Sequence, residues 1–366
     1  MCYSAQIQAD YRKYVRMFGA HMSIREFAQL YWERAEGSNI KIPKAMDAAF
    51  SAPQTDEERR IREAIDRFNG EQATRLEQEL FKQRARLADA ERTLQSKTTK
   101  AATESKRIAT NKIESALRGL DDLRRIELKD RDSRIFPGNY APVMVMEDGK
   151  RVIKPMRYHC RPAGKPAFYD KKYPGLYNAR LDNLEGFWKG LFGCSHGLIV
   201  ANAFYENVKR HRLEGRDLAE GELEESVVLE FKPQPAQDML VACLWSHWQS
   251  PGEPDLLSFA AITDEPPPEV AAAGHDRCII PIAGAYRRVA QSRSTQSCGT
   301  VRDLQRSPPP LLRTSHGGLN RDGSLKGPER PLPVDGEHCC RPHRYARRFR
   351  IRRTTGSYRG IGRGFR

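Results

Sequence analysis

Three patterns of apolar and polar positions divide the chain. Over residues 1–50 apolar side chains recur at helical spacing around Tyr14, Met17 and Phe18, then at Phe27, Leu30 and Tyr31. From about Asp56 to Arg125 the chain is built of Glu, Arg, Lys, Gln and Ala, with no proline and few aromatics. There Leu80, Leu87, Leu94, Ala101 and Ile108 recur every seventh position, which predicts a long helix with one apolar seam. The positions three further on, Gln83, Ala90, Lys97 and Glu104, form a poor second seam. The expectation is a charged helical arm or hairpin, about 56–130, inserted in a domain, in preference to a stand-alone coiled-coil dimer. After Ser133 the pattern turns strand-like: Val143–Met146, Val152–Met156, Leu198–Phe204, Val227–Phe231, Met239–Trp245 and Leu257–Ile262 are apolar or alternating runs bounded by Gly, Pro, Asp or Asn. Cys278–Ile282 fits a last strand. The predicted fold is therefore α+β, a strand-rich domain over 1–282 with a highly curved or barrel-like sheet and an inserted helical arm.

The pattern ends at Ile282. From there Arg, Ser, Pro and Gly dominate without periodicity, and the segment carries 19 basic against 5 acidic residues. It accounts for nearly all of the net charge of +15 and leaves the first 282 residues close to neutral. The 283–366 segment is read as an Arg-rich tail, either disordered or translated out of frame, because misreading a GC-rich gene yields this mixture. A natural basic tail would instead hold DNA through its phosphates. No apolar run is long enough to span a membrane, the start lacks a secretory pattern, and eight cysteines without regular spacing make no disulfide framework. A cytoplasmic protein with free thiols is expected, associated with the nucleoid when bound to DNA.

Cys2 is the first candidate for chemistry. Methionine before a small residue is normally removed, which leaves cysteine at the terminus. Its α-amine (pKa about 8) and thiol (pKa about 8.5) are both partly deprotonated near neutrality. An aldehyde can react with such a pair twice, as an imine with the amine and then as a five-membered thiazolidine closed by the thiolate. Further along come Phe136-Pro-Gly-Asn-Tyr-Ala-Pro142, Met156-Arg-Tyr158, Tyr177-Asn-Ala-Arg180, Ala203-Phe-Tyr-Glu206, Leu244-Trp-Ser-His-Trp248, Ser258-Phe-Ala-Ala-Ile-Thr263 and His275-Asp-Arg277. In this order, with Met1-Cys2, the series resembles the SOS response-associated peptidase (SRAP) family over roughly residues 1–50 and 134–282.

That resemblance implies a covalent sensor or shield of abasic sites in single-stranded DNA. Cys2 would be the nucleophile, Asn178 a contact to cysteine and sugar, Glu206 the acid/base carboxylate beside the α-amine, and His275 the group that assists sugar ring opening and reversal. Arg157 and Arg180 match phosphate-holding arginines, Tyr158 a base-stacking aromatic, Pro142 a wedge position, and Thr263 a possible hydrogen-bond donor. No metal or organic cofactor and no membrane are implied, and a monomer is expected. Tyr3 and Ser4 replace the Gly-Arg that often follows the cysteine, so an arginine near the nucleophile is missing from the sequence. Other readings remain beside this one: a thiol peptidase using Cys2, and a DNA-binding protein held only by its tail. Cys160, Cys194, Cys243 and Cys278 are expected to be buried small apolar residues. His159-Cys160 and Cys194/His196 lack metal-site spacing, and Cys339-Cys340-Arg-Pro-His343 lies in the tail and is assigned nothing.

Overall fold

A computed structural model describes residues 3–279 and 348–353. Contacts divide the chain into a helical unit, Met22–Ser133, and a sheet unit formed by Met1–His21 with Arg134–Arg366. In chain order β1 (Ser4–Ile7) and α1 (Tyr11–Phe18) lead to β2 (His21–Met22). The helical unit holds α2 (Ile24–Ala35), α3 (Lys44–Ala48), α4 (Asp56–Ser96) and α5 (Lys100–Arg124). Then follow β3 (Arg134–Ile135), β4 (Tyr140–Glu147), β5 (Lys150–Tyr158), α6 (Tyr169–Lys172) and β6 (Asn178–Arg180). The chain continues through β7 (His196–Lys209), α7 (Arg210–Leu213), β8 (Ser226–Gln234), β9 (Met239–Trp248), β10 (Leu256–Asp264), α8 (Pro268–Ala272), β11 (Cys278–Ile279) and β12 (Arg348–Arg353).

The long arm is two helices, and local chemistry sets the break. Thr55 opens α4, its hydroxyl accepting from the Glu58 N–H at 3.2 Å while the Glu58 carboxylate accepts from the Gln54 N–H at 2.7 Å. Asp56, Glu57 and Glu58 place negative charge at the positive end of the helix. The helix stops at Ser96, and Thr99 caps α5 by accepting from the Ala102 N–H at 3.1 Å. The helices run antiparallel, with the Lys112–Glu79 (3.1 Å) and Lys106–Glu91 (2.9 Å) pairs linking them. The seam differs from the one the heptads predict. Gln83 and Ala90 of α4 and Ala102, Ala109, Ala116 and Leu120 of α5 are buried, whereas Leu80, Leu87 and Leu94 are only half-buried and Ala101 is exposed. Small residues let the two axes approach closely, and the leucines then cover the flanks of the contact.

The sheet unit is a large mixed sheet. β4 pairs antiparallel with β5 from Tyr140↔Arg157 to Glu147↔Lys150, and β7 pairs antiparallel with both β4 and β9. β9 pairs antiparallel with β10, and β10 pairs parallel with β5, so the pairings β10–β5–β4–β7–β9–β10 form a circuit. The six apolar runs of the sequence lie within β4, β5, β7, β8, β9 and β10. Their buried side chains, among them Val143, Ile153, Met156, Val200, Phe204, Phe231, Val241, Leu244 and Phe259, make the core. Gly197 is required where β7 passes β4 and β9, since a Cβ there would meet Val143 Cγ1 at 2.9 Å and Cys243 Sγ at 3.1 Å. Tyr14 of α1 ties the layers together: its hydroxyl donates to the Pro142 carbonyl at 3.1 Å and accepts from the Val200 N–H at 2.9 Å. Most of the 283–366 segment lies outside the described residues. β12 pairs antiparallel with β8, from Arg348↔Gln234 to Arg353↔Leu229. No helix among the described residues is long and apolar enough to cross a membrane.

Candidate functional site

The sheet brings distant residues to one end of β7 and β10. β7 presents Glu206, fully buried, opposite Leu229 of β8. The turn after α8 presents His275, whose Nε2 stands 3.1 Å from Glu206 Oε2. His275 Nδ1 lies 2.8 Å from the Arg277 carbonyl oxygen and 3.3 Å from the Arg277 N–H, so a protonated Nδ1 donates to the carbonyl and a bare one accepts from the N–H. The Nε2–Oε2 approach is an ion pair when the imidazole is protonated. Burial is the main force on the imidazole and holds His275 below its ordinary value. Cys278, buried at the start of β11, has its thiol held far in the protonated form by burial and by the negative charge of Glu206.

β10 supplies the other wall. Thr263 stands opposite Ile279 of β11 on one side and Arg180 of β6 on the other, and Ala261 stands opposite Asn178. The Thr263 hydroxyl and both polar atoms of the Asn178 side chain are buried with no hydrogen-bond partner among the described residues. Such groups cost about 1–3 kcal/mol each when left unmade, which makes their clustering here informative. Arg180 is half-exposed and pairs with Asp182, its Nε donating at 2.8 Å.

β1 enters the sheet beside Glu206: Ser4 stands opposite Tyr205 and Ala5 opposite Phe204. Cys2 lies outside the described residues. Tyr3 is exposed, its ring edge-on to Phe136 at 5.6 Å and to Tyr177, the neighbour of Asn178, at 6.2 Å. The arginine absent from position 4 has a counterpart in space. Arg134 of β3 donates to Ser4 Oγ from Nε (3.0 Å) and Nη2 (2.8 Å), and its guanidinium lies 3.7 Å from the Tyr205 ring centre. Nothing in the sequence marked Arg134, because 130 residues separate it from Ser4 and only the β1–β3 and β1–β7 pairings join them.

Arg157 and Tyr158 end β5 beside β10, opposite Ser258 and Phe259. Arg157 is mostly buried; Nη1 pairs with Asp170 at 2.9 Å, and Nε and Nη2 donate to the His159 carbonyl at 3.3 and 3.1 Å. Arg161 makes a two-pronged contact to the same Asp170, at 3.1 and 2.5 Å, and lies over the Trp248 ring at 4.3 Å. His159 between them holds φ +137°, a backbone state L-residues rarely adopt. The arginine contacts, the His159 N–H to Phe259 O bond (3.0 Å) and the ring contact to Tyr173 O (3.3 Å) keep it there. Tyr158 is 2 % exposed, stacked on Phe259 at 5.1 Å and edge-on to Tyr177 at 5.6 Å. Pro142 is buried in β4 opposite Pro155, its carbonyl accepting from the Tyr14 hydroxyl.

Of the four cysteines expected to be buried, Cys160, Cys243 and Cys278 are, and burial pushes the Cys160 thiol up to about 12. Cys194 corrects the expectation: it is exposed, because it sits in the turn Gly193–Ser195 before β7, where the chain has left the core. Among the described residues no group of three or more His, Cys, Asp or Glu could hold a metal ion. Cys339, Cys340 and His343 lie outside the described residues. The open cavity lined by Gln6, Asn202, Lys232, Pro233, Gln237 and Asp238 contains none of the candidate residues.

Comparison with known proteins gives the following. A protein of Bordetella bronchiseptica is similar in structure with a TM-score of 0.38 and 17% identity, covering 49% of this chain and 82% of its own. A phage-related protein from the same organism gives 0.36 and 20%, covering 48% and 76%. A protein of Bacteroides thetaiotaomicron gives 0.36 and 11%, covering 47% and 71%. No curated protein matches the chain. The family model described as SOS response associated peptidase (SRAP) matches residues 92–286, more than half of the sequence and every candidate from Pro142 to His275. The chain belongs to the SRAP family, and its role is tied to the response to DNA damage.

Proposed function

We propose that this protein captures abasic sites in single-stranded DNA as a covalent adduct of its N-terminal cysteine. After Met1 is removed, the α-amine of Cys2 adds to the C1′ aldehyde of the ring-opened deoxyribose. Loss of water gives an imine, and the thiolate adds to the imine carbon to close a thiazolidine. The sequence consumes one aldehyde, one amine and one thiol and releases one water. It needs a base to take a proton from the attacking amine and an acid to protonate the departing oxygen. The observation that carries the reading is the buried Glu206 carboxylate with the His275 imidazole 3.1 Å from it, an acid/base couple of the required kind next to Tyr205, where β1 pairs with β7. The unsatisfied amide of Asn178 and hydroxyl of Thr263 suit a polar sugar; Arg180 suits a flanking phosphate, and Arg157 does so only by giving up a contact to Asp170 or the His159 carbonyl. Tyr158 is reached by a base only if the Phe259 and Tyr177 packing opens, so its contribution to stacking is expected to be smaller than that of an exposed ring.

The test is a denaturing gel of full-length protein with a single-stranded oligonucleotide carrying one abasic site. A shifted band is expected, absent with Cys2→Ala and formed about 10²–10⁴-fold more slowly with Glu206→Gln. A folded protein lacking Met1 that gives no band would overturn the proposal. The family's name also carries a peptidase reading. A thiol peptidase using Cys2 would release peptide products and need no aldehyde, and the same preparation incubated with a casein substrate distinguishes the two.

A further inference from the structure

The segment from Arg161 to Leu176 joins β5 to the turn that carries Asn178, and its chemistry differs from that of the rest of the body. Within it stand Arg161, Lys165, Lys171 and Lys172 against the single acid Asp170, a local excess of three positive charges in a body that is otherwise close to neutral. That one carboxylate is turned inward, taken up by Arg157 at 2.9 Å and Arg161 at 2.5 Å. The three lysines are exposed and make no ion pair among the described residues. Aromatic rings alternate with them: Phe168 is 59 % exposed and Tyr173 37 %. Phe168 lies 6.2 Å from Tyr169, and Tyr169 lies 4.5 Å from Tyr173. Lys165 sits 5.6 Å from the Tyr169 ring centre and Lys172 5.4 Å from that of Tyr173. The segment is anchored at both ends next to the candidate site, through Arg157–Asp170 on β5 and through Cys160 N–H to Leu176 O at 2.9 Å.

Exposed cations interleaved with exposed rings, on a segment clamped from beneath, match what a flexible polyanion carrying flat bases requires. The lysines meet successive phosphates and the rings stack on bases without reading their identity. We infer that the Arg161–Leu176 segment is a second contact surface for single-stranded DNA, holding the strand that flanks the nucleotide in the site, through Lys165, Lys171 and Lys172 with Phe168 and Tyr173. The inference rests on the proposed function for the polymer that is bound, and it is separable from the covalent chemistry because undamaged single strands must bind the segment as well.

The experiment measures anisotropy of a labelled oligo-dT, without any abasic site, against full-length wild type, Lys165→Gln/Lys171→Gln/Lys172→Gln and Phe168→Ala, over a salt series. Releasing counterions from three phosphates of a single strand contributes about 0.7 each to the slope of log K against log salt. The triple variant is therefore expected to lower that slope by about 2 and to weaken binding tenfold or more at about 0.1 M salt. Phe168→Ala is expected to weaken binding at least about fivefold with the slope unchanged, a signature that a purely electrostatic surface would not give. All four positions are exposed, so circular dichroism should match wild type. Wild-type affinity and slope in the triple variant would overturn the inference, as would equal losses on heparin and oligo-dT with no effect of Phe168→Ala. Failure of wild type to form the covalent adduct, with these losses present, would instead refute the covalent reading and leave this surface standing.

Discussion

Replacing Asp170 with Asn tests whether one carboxylate holds the end of β5 and the following segment in place. Asp170 accepts three charge-assisted bonds, from Arg157 Nη1 at 2.9 Å and from Arg161 Nε and Nη2 at 3.1 and 2.5 Å. Asparagine keeps the shape and one acceptor, but it points an N–H₂ at a guanidinium and leaves two arginines without a counter-charge. Bonds to charged groups are worth about 1.5–3 kcal/mol each, and breaking a fully buried pair costs about 3–5 kcal/mol. Here the side chains of Arg157, Arg161 and Asp170 are 18%, 11% and 18% exposed, so water recovers part of the loss. The expected net cost is about 2–3 kcal/mol, which lowers the melting temperature by roughly 4–12 °C. Because Arg157 also holds the His159 carbonyl and its φ of +137°, the variant should be cut by trypsin after Lys171 and Lys172 before the rest of the sheet unit, the Arg161–Pro162 and Lys165–Pro166 bonds being resistant. Thermal unfolding by circular dichroism and a timed digest read both effects. A double-mutant cycle with Arg157→Gln completes the test: the second substitution should cost less in the presence of the first. An unchanged melting temperature, or costs that simply add, would refute the idea that these side chains act as one cluster.

Two other expectations follow from packing and from protonation. Gly197→Ala would drive a Cβ against Val143 Cγ1, Cys243 Sγ and the Met144 carbonyl; about 1–3 kcal/mol of destabilisation is expected in urea titrations, and an unchanged midpoint would show that β7 can shift away from β4. His159, His196 and His275 are all held below the ordinary imidazole value, in each case chiefly by burial. Just below about pH 6.5 the unfolded chain therefore binds more protons than the folded one, and stability must fall as the pH drops through that value toward the folded-state pKa values. Against the opposing pull of burial, Arg161 and Arg157 hold Asp170 below the usual carboxylate value, so its share of stability is lost only at still lower pH. Melting temperatures measured from pH 8 to pH 4 should decline monotonically below pH 7, and a rise between pH 7 and pH 5 would contradict the burial of these rings.

Strands are legible where the apolar runs are four to seven residues long, because a strand buried on both faces reads as a continuous apolar stretch. β6, of three residues, gives no periodic signal and is placed only by its neighbour β10, whereas β11 covers the first two residues of the Cys278–Ile282 run read as a last strand. The arm shows a different limit. Its heptads were visible, yet the leucine row proved to be the flank and the small-residue row the contact, because the partner is α5 folding back and not a second long helix. A seven-residue repeat reports that a seam exists; which of two adjacent rows is deepest depends on the size of the residues opposite.

The candidate site divides along the same physical line. The motifs of Glu206 and His275 are 69 positions apart, and the fold sets the two side chains 3.1 Å apart; Asn178 and Thr263 stand on the neighbouring β6 and β10, Thr263 opposite Ile279 of β11. What the sequence hid were the groups that hold this chemistry in position through contacts made only in space. Arg134 reaches Ser4 through two sheet pairings, and Asp170 reaches Arg157 from a four-residue helix whose composition reads as a solvated loop. Both are charged side chains whose role is set by a partner far away in the chain, and a charged residue alone has the same appearance whether it faces water or another charge. An acid among lysines reads as charge balance on a surface. Two guanidinium groups on its inner side turn it into an anchor, and the lysines outside are left to meet another polyanion.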